Sequence, residues 1–198
     1  MALLLAILFA TALPGGSSLF DAGRFDAQPG AWVEYLVHGK GSEPLRVRVS
    51  VLSKDGDRAL IEIDTLAKDK PSQSVRMLVH GSPADARNLD KLELYVAGQA
   101  PIEVPVDDLR DETRPPAKDK TRAVQRGRER VQVPAGSFDA QVVDRGPSRI
   151  WSSNDVPIFG MVKTRTKAQT AELIGFGRQG AHSLFPDAAH QKGSETTK

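Results

Sequence analysis

The sequence predicts a mainly β chain: one antiparallel sheet of about ten strands with at most one or two short helices. Three observations predict it. Apolar residues recur at every second position through most of residues 31–177, the period of strands with one buried face. Gly, Pro, Asp and Asn cluster between those runs at hairpin spacing. Helix-start chemistry stands out at one place, where Ser82 offers a cap and Pro83 suits a first helical position.

The strands follow in chain order. Trp32–Val37 is the first, and His38–Pro44 reads as a loop. Leu45–Leu52 alternates cleanly, with Leu45, Val47, Val49 and Val51 on one face and Arg46, Arg48 and Ser50 on the other. Asp55-Gly56 supplies the positive φ of a tight hairpin turn. Ala59–Leu66 returns, and Ser74–Val79 makes a fourth strand after Lys68–Ser72. These four predict a meander with one apolar and one wet face. Ser82–Leu89 is expected as a short helix or turn, because Leu92–Val96 already reads as the next strand. Ile102–Val106 follows as a short strand that Pro105 confines to an edge. Downstream, Val131 and Val133 alternate with polar neighbours, and Pro134–Gly136 bends the chain. Phe138, Ala140 and Val142 alternate next, and Ile150-Trp151 resumes after the turn at Arg145–Ser148. Phe159–Thr166 and Thr170–Phe176 form the last hairpin, with Gly175 and Gly177 placed to let the final strand bend or bulge.

The segments V-P-A-G-S-F-D-A (133–140), I-W-S-S-N-D-V-P-I-F-G-M-V-K (150–163) and A-E-L-I-G-F-G (171–177) resemble the LolA-like superfamily of periplasmic half-barrel proteins. They look most like its uncharacterised members with V-P-A-G-x-F and V-P-x-x-G-x-V-K motifs. The resemblance covers residues 128–177 well and the upstream half as a strand pattern. It implies a strongly curved half-barrel sheet, an exported or periplasmic location, and a concave groove that in this superfamily holds acyl chains. The groove candidates are the apolar alternates Val47, Val49, Leu60, Ile63, Met77, Val79, Val142, Trp151, Met161 and Leu173. The lipoprotein carriers of the superfamily pack helices into the half-barrel mouth, whereas this chain offers at best one short helix. The expectation is therefore a non-enzymatic envelope protein that binds a lipid or acyl chain in its concave face. The alternative is an envelope protein-interaction module whose core is filled by its own side chains.

Composition narrows the classes. The chain has 198 residues, enough for one domain with a sizeable core. Lys and Arg number 27 against 25 Asp and Glu, and aromatics make up 6%. Neither the charge field nor the stacking supply of a nucleic-acid binder is present. Cysteine is absent, which removes disulfides, thiolate metal sites and thiol nucleophiles. Met1–Phe9 followed by Ala10-Thr-Ala12 fits the apolar core and A-x-A site of a signal peptide over residues 1–12, without a basic leader; a buried N-terminal strand or helix is the alternative. Residues 13–30 read as a flexible lead-in, 31–177 as the half-barrel domain, and 178–198 as a disordered tail.

Residues 107–130 are charged and locally basic, through Arg114, Lys118, Lys120, Arg122, Arg126, Arg128 and Arg130. They read as a solvated loop leading into an exposed strand, or as a contact for anionic headgroups or an acidic partner, which limits membrane involvement to the periphery. His38, His80, His182 and His190 lack the spacing of a zinc site, and no cofactor or metal is expected. The carboxylates Glu62, Asp64, Glu93, Glu103 and Asp155 show no acid–base pairing in their spacing. Gly175–Gly180 matches G-x-G-x-x-G literally, but no helix of useful length follows it. A buried polar cluster with shifted pKa values would be needed for a hydrolase, and none is expected.

Overall fold

The computed structural model describes residues 25–107 and 123–185, together with the backbone of residues 12–13 and 17–18. Two short strands, β1 (Ala12–Leu13) and β2 (Ser17–Ser18), pair with each other. The main sheet begins with β3 (Trp32–Gly39), β4 (Leu45–Asp55), β5 (Arg58–Ala67), β6 (Lys70–His80), β7 (Leu89–Val96) and β8 (Ile102–Val104). It continues with β9 (Val124–Val133), β10 (Gly136–Arg145), β11 (Ser148–Ser152), β12 (Met161–Arg165) and β13 (Gln169–Gly177). These eleven strands form one curved, unclosed antiparallel sheet in the order β8-β7-β6-β5-β4-β3-β13-β12-β11-β10-β9.

The chain therefore makes two meanders, β3–β8 and β9–β13, joined where the first strand of one pairs with the last of the other. The sheet edges, β8 and β9, are consecutive in sequence. Pro105 follows β8 directly, as its missing N–H requires at an edge. No described helix reaches seven residues. The helix-start signal at Ser82 yields a 3-10 turn, Ala86–Asn88. Ser82 Oγ accepts from Ala84 N at 3.3 Å and Asp85 Oδ1 from Arg87 N at 3.1 Å. Pairing of β7 with β6 then begins at Leu89, so the strand period claims the residues a longer helix would need.

Register explains the core. Ladder partners share a face, and Val33, Val49, Ile63, Val75 and Leu94 form one row across β3 to β7. A second row runs Val51, Ile61, Met77, Leu92, Val104. All are buried, and they join buried residues of the second meander, including Phe138, Ala140, Trp151 and Met161, in one apolar cluster. Tyr35, buried within it, donates its hydroxyl to the Met161 carbonyl at 3.0 Å and ties β3 to β12.

The opposite face of the first meander is as regular. One row runs Trp32, Ser50, Glu62, Arg76, Glu93, and the next Glu34, Arg48, Asp64, Ser74, Tyr95. The alternation predicted a wet face, but Ser50, Glu62, Asp64 and Ser74 are each 0% exposed. Part of the cover is the chain itself. Instead of leaving the fold at 178 as a tail, residues 178–185 lie against this face, and Phe185 is buried. Residues 186–198 lie outside the described residues, as do most of residues 1–24.

Candidate functional site

The face covered by residues 178–185 carries an organised polar site. Glu62 stands at its centre because β5 alternates, so that Ile61 and Ile63 enter the core while Glu62 and Asp64 point the other way. The Glu62 carboxylate accepts from Leu184 N at 2.6 Å and Phe185 N at 3.1 Å through Oε1. Through Oε2 it accepts from Ser183 Oγ at 2.7 Å and Arg76 Nε at 3.2 Å. Arg76 Nη2 also donates to Ser183 Oγ at 2.7 Å. A buried carboxylate is tolerated when a cation and several donors surround it, and Glu62 has both.

Next to this anchor, the Phe185 ring lies between the Arg76 guanidinium, 4.2 Å from its centroid, and the Tyr95 ring at 6.0 Å. Upstream, the same segment is held by Ala181 N donating to Gly30 O at 2.8 Å and Trp32 Nε1 donating to Gln179 O at 3.2 Å. Trp32 lies flat beneath Arg48, whose guanidinium is 4.4 Å from the indole. The indole fits because Gly175 and Gly177 sit against it; a Cβ at Gly177 would lie 2.6 Å from Trp32 Nε1.

Asp64, two residues from Glu62 on the same face, has an unusual environment. Its Oδ1 accepts from Ser74 Oγ at 2.6 Å, while its Oδ2 has no hydrogen-bond partner. Burial pushes its carboxyl up to about 7, with Glu62 adding to the rise and the Ser74 hydroxyl opposing it. Arg48 Nε and Ser50 Oγ, on the same rows, are likewise without partners. This is a buried polar cluster that sequence spacing did not reveal. Two carboxylates do lie side by side, but beneath a segment of the chain rather than in an open cleft.

The residues singled out from the sequence fall elsewhere. Val47, Val49, Ile63, Met77, Val79, Val142, Met161 and Leu173 are buried in the core cluster. Trp151 is buried too; its indole donates to Glu129 Oε1 and lies under Lys163 and Arg165 at 5.9 and 5.7 Å. Leu60 is a correction. It is half-buried on the face of Glu62, because three positions from Ile63 is an odd step and strands alternate. Of the basic candidates, Arg126 and Arg128 lie exposed on β9. Arg126 Nε and Arg149 Nε both donate to Asp144 at 2.7 Å, and the two guanidiniums hold that carboxyl down at about 2. Arg114, Lys118, Lys120 and Arg122 lie outside the described residues. His38 and His80 sit on non-adjacent strands; His38 faces Thr170 and His80 contacts Asp90 at 2.9 Å. No metal-binding group of three ligands occurs among the described residues.

A cavity of about 540 Å³ opens beside the loop 153–160, lined among others by Asp26, Gln125, Gln141, Asn154 and Arg178. Its polar lining differs from the acyl groove expected from the sequence. Ile158 in that loop holds φ 68, a left-handed conformation costly for a β-branched residue. The bridge from Asp26 N to Ile158 O at 2.8 Å and the burial of Ile158 fix it there.

No family model matches the chain, and comparison with curated proteins returns no match. Solved structures show similarity at low identity. An exported-protein structure with a YmcC-like fold from Bacteroides fragilis matches at 12% identity and a TM-score of 0.43, covering 79% of this chain and 99% of that one. MucB in complex with MucA(peri) matches at 12% identity and 0.48, covering 82% and 56%. A lipoprotein structure from Parabacteroides distasonis matches at 10% identity and 0.38, covering 77% and 97%. At these scores, the likeness carries no inference about ligand or partner.

Proposed function

We propose that this chain is a protein-interaction module of the bacterial envelope, a binder rather than an enzyme, which docks an acidic extended segment along β9. The observation that carries the reading is the edge position of β9. Among the described residues this ten-residue strand pairs with β10 alone, and its Arg126, Arg128 and Arg130 are exposed. An unpaired strand edge offers a row of backbone donors and acceptors to an incoming strand, and the arginines favour a negative one. The core supports this reading over apolar cargo, since the residues expected to line a groove are packed against one another. An envelope location rests on the apolar run Met1–Phe9 and the Ala-Thr-Ala that follows.

The test is titration of a fluorescein-labelled peptide of alternating Glu and Val into the full chain, monitored by anisotropy. Binding that weakens at least tenfold in an Arg128→Glu, Arg130→Glu variant, and falls with added salt, is the expected result. Unchanged affinity in that variant refutes the β9 site. A stoichiometric acyl adduct in native mass spectra of envelope-purified protein refutes the self-filled core and restores apolar carriage.

A further inference from the structure

Residues 178–185 are bound to the sheet as a ligand would be. They make no ladder with any strand, and contacts with side chains supply much of what holds them: Glu62 takes two consecutive backbone N–H groups, Arg76 the Ser183 hydroxyl, and Arg76 with Tyr95 the Phe185 ring. Recognition of this kind reads a bent main chain, with two adjacent N–H groups turned to one oxygen, plus two side chains, a hydroxyl and, two positions later, an aromatic ring. Most of it is indifferent to which chain provides them.

The fit is also incomplete. Asp64 Oδ2, Ser50 Oγ and Arg48 Nε remain without partners on the same two rows, and Ser50 and Asp64 are fully buried. Unpaired buried polar groups cost free energy that a segment with better-placed donors and acceptors would recover. Lifting the segment breaks no sheet hydrogen bond, because β13 ends at Gly177.

From these observations we infer that the seat formed by Glu62, Arg76 and Tyr95 is a peptide-docking site, occupied in cis by Ser183–Phe185. Its partner is a polypeptide segment with a hydroxyl residue two positions before an aromatic one. The site lies on the first meander and does not depend on the β9 reading. An occupant tethered to the fold competes at an effective concentration in the millimolar range, so an untethered peptide binds weakly until the tethered one is loosened.

The experiment uses the full chain and a labelled octapeptide with the sequence of residues 178–185, Arg-Gln-Gly-Ala-His-Ser-Leu-Phe. The Phe185→Ala chain is expected to bind this peptide at least tenfold more tightly than the unsubstituted chain. Adding Tyr95→Ala, a half-buried position, should reverse the gain, and an octapeptide ending in Ala should not bind. Arg128→Glu with Arg130→Glu should leave these affinities unchanged, which separates this site from the β9 edge. Equal affinity of the Phe185→Ala and unsubstituted chains overturns the proposal, as does binding that survives Tyr95→Ala. Amide exchange at Leu184 and Phe185 gives a second reading on the unsubstituted chain. Exchange faster than at Ile61 and Ile63 is expected of a removable occupant, and equal protection overturns it.

Discussion

Replacing Asp64 by Asn should change how stability depends on pH. In the folded chain the carboxyl is fully buried, has one oxygen on Ser74 Oγ and the other unpaired, and burial pushes it up to about 7 from the usual carboxylate range. The folded state therefore keeps a proton that the unfolded state has released between roughly pH 4 and pH 7. Wherever the folded state binds more protons, stability falls as pH rises. The contribution of this group is complete below the unfolded pKa and is lost as pH climbs through the folded one. That displacement is worth about 4 kcal/mol, an upper bound for a group that relaxation and water can reach. Asn is nearly isosteric, its Oδ1 can still accept from Ser74, and it carries no charge to bury. Urea unfolding between pH 4 and pH 8 is the assay, with constant m-values taken as the sign that only stability has moved. The unsubstituted chain should lose stability across that range, and Asp64→Asn should flatten the loss and be the more stable protein at pH 8 by about 2 kcal/mol or more. If the two chains show the same pH slope, Asp64 is not the buried titrating group, and the account of this face is wrong.

Two other substitutions test the contacts that position the same face and the core. Gly177→Ala places a Cβ 2.6 Å from Trp32 Nε1 and 3.1 Å from Gln179 O; it should cost about 1–3 kcal/mol and red-shift Trp fluorescence as the indole leaves its seat. Tyr35→Phe removes the donor that satisfies the buried Met161 carbonyl, and thermal unfolding should report a loss of about 1–2 kcal/mol.

The rows of the core were legible because period-two alternation survives in Leu45–Leu52 and in Phe138–Val142, where the turn residues set the phase. Apolarity alone misplaces Leu60. Leu60 and Ile63 are both apolar, but an odd separation puts them on opposite faces, so apolarity alone could not place them. The polar site was illegible for another reason. Alternation tells which side chains leave the core, not what lies on top of them. Glu62 reads as the wet side of a hairpin because its cover comes from residues more than 120 positions away, at Leu184 and Phe185. The one sequence signal was Leu184-Phe185 itself, an apolar pair within a segment otherwise small and polar.

The pairing of β3 with β13 accounts for that long-range cover. Because the last strand lies in the middle of the sheet rather than at its edge, the chain leaving Gly177 emerges beside Trp32 and can run outward over β3 to β7. From Gln179, held by Trp32 on β3, to Leu184 and Phe185, whose N–H groups meet Glu62 on β5, the backbone crosses two strand spacings. Two spacings of about 4.8 Å make about 10 Å, well within the roughly 17 Å that five residues can span. The segment therefore has slack for a left-handed residue at Gly180, φ 90, and for the turn that aims two consecutive N–H groups at one carboxylate oxygen. A buried carboxylate on the middle strand is the group placed to receive them. The placing of β13 beside β3 and the position of Glu62 on β5 thus together set where residues 179–185 are held.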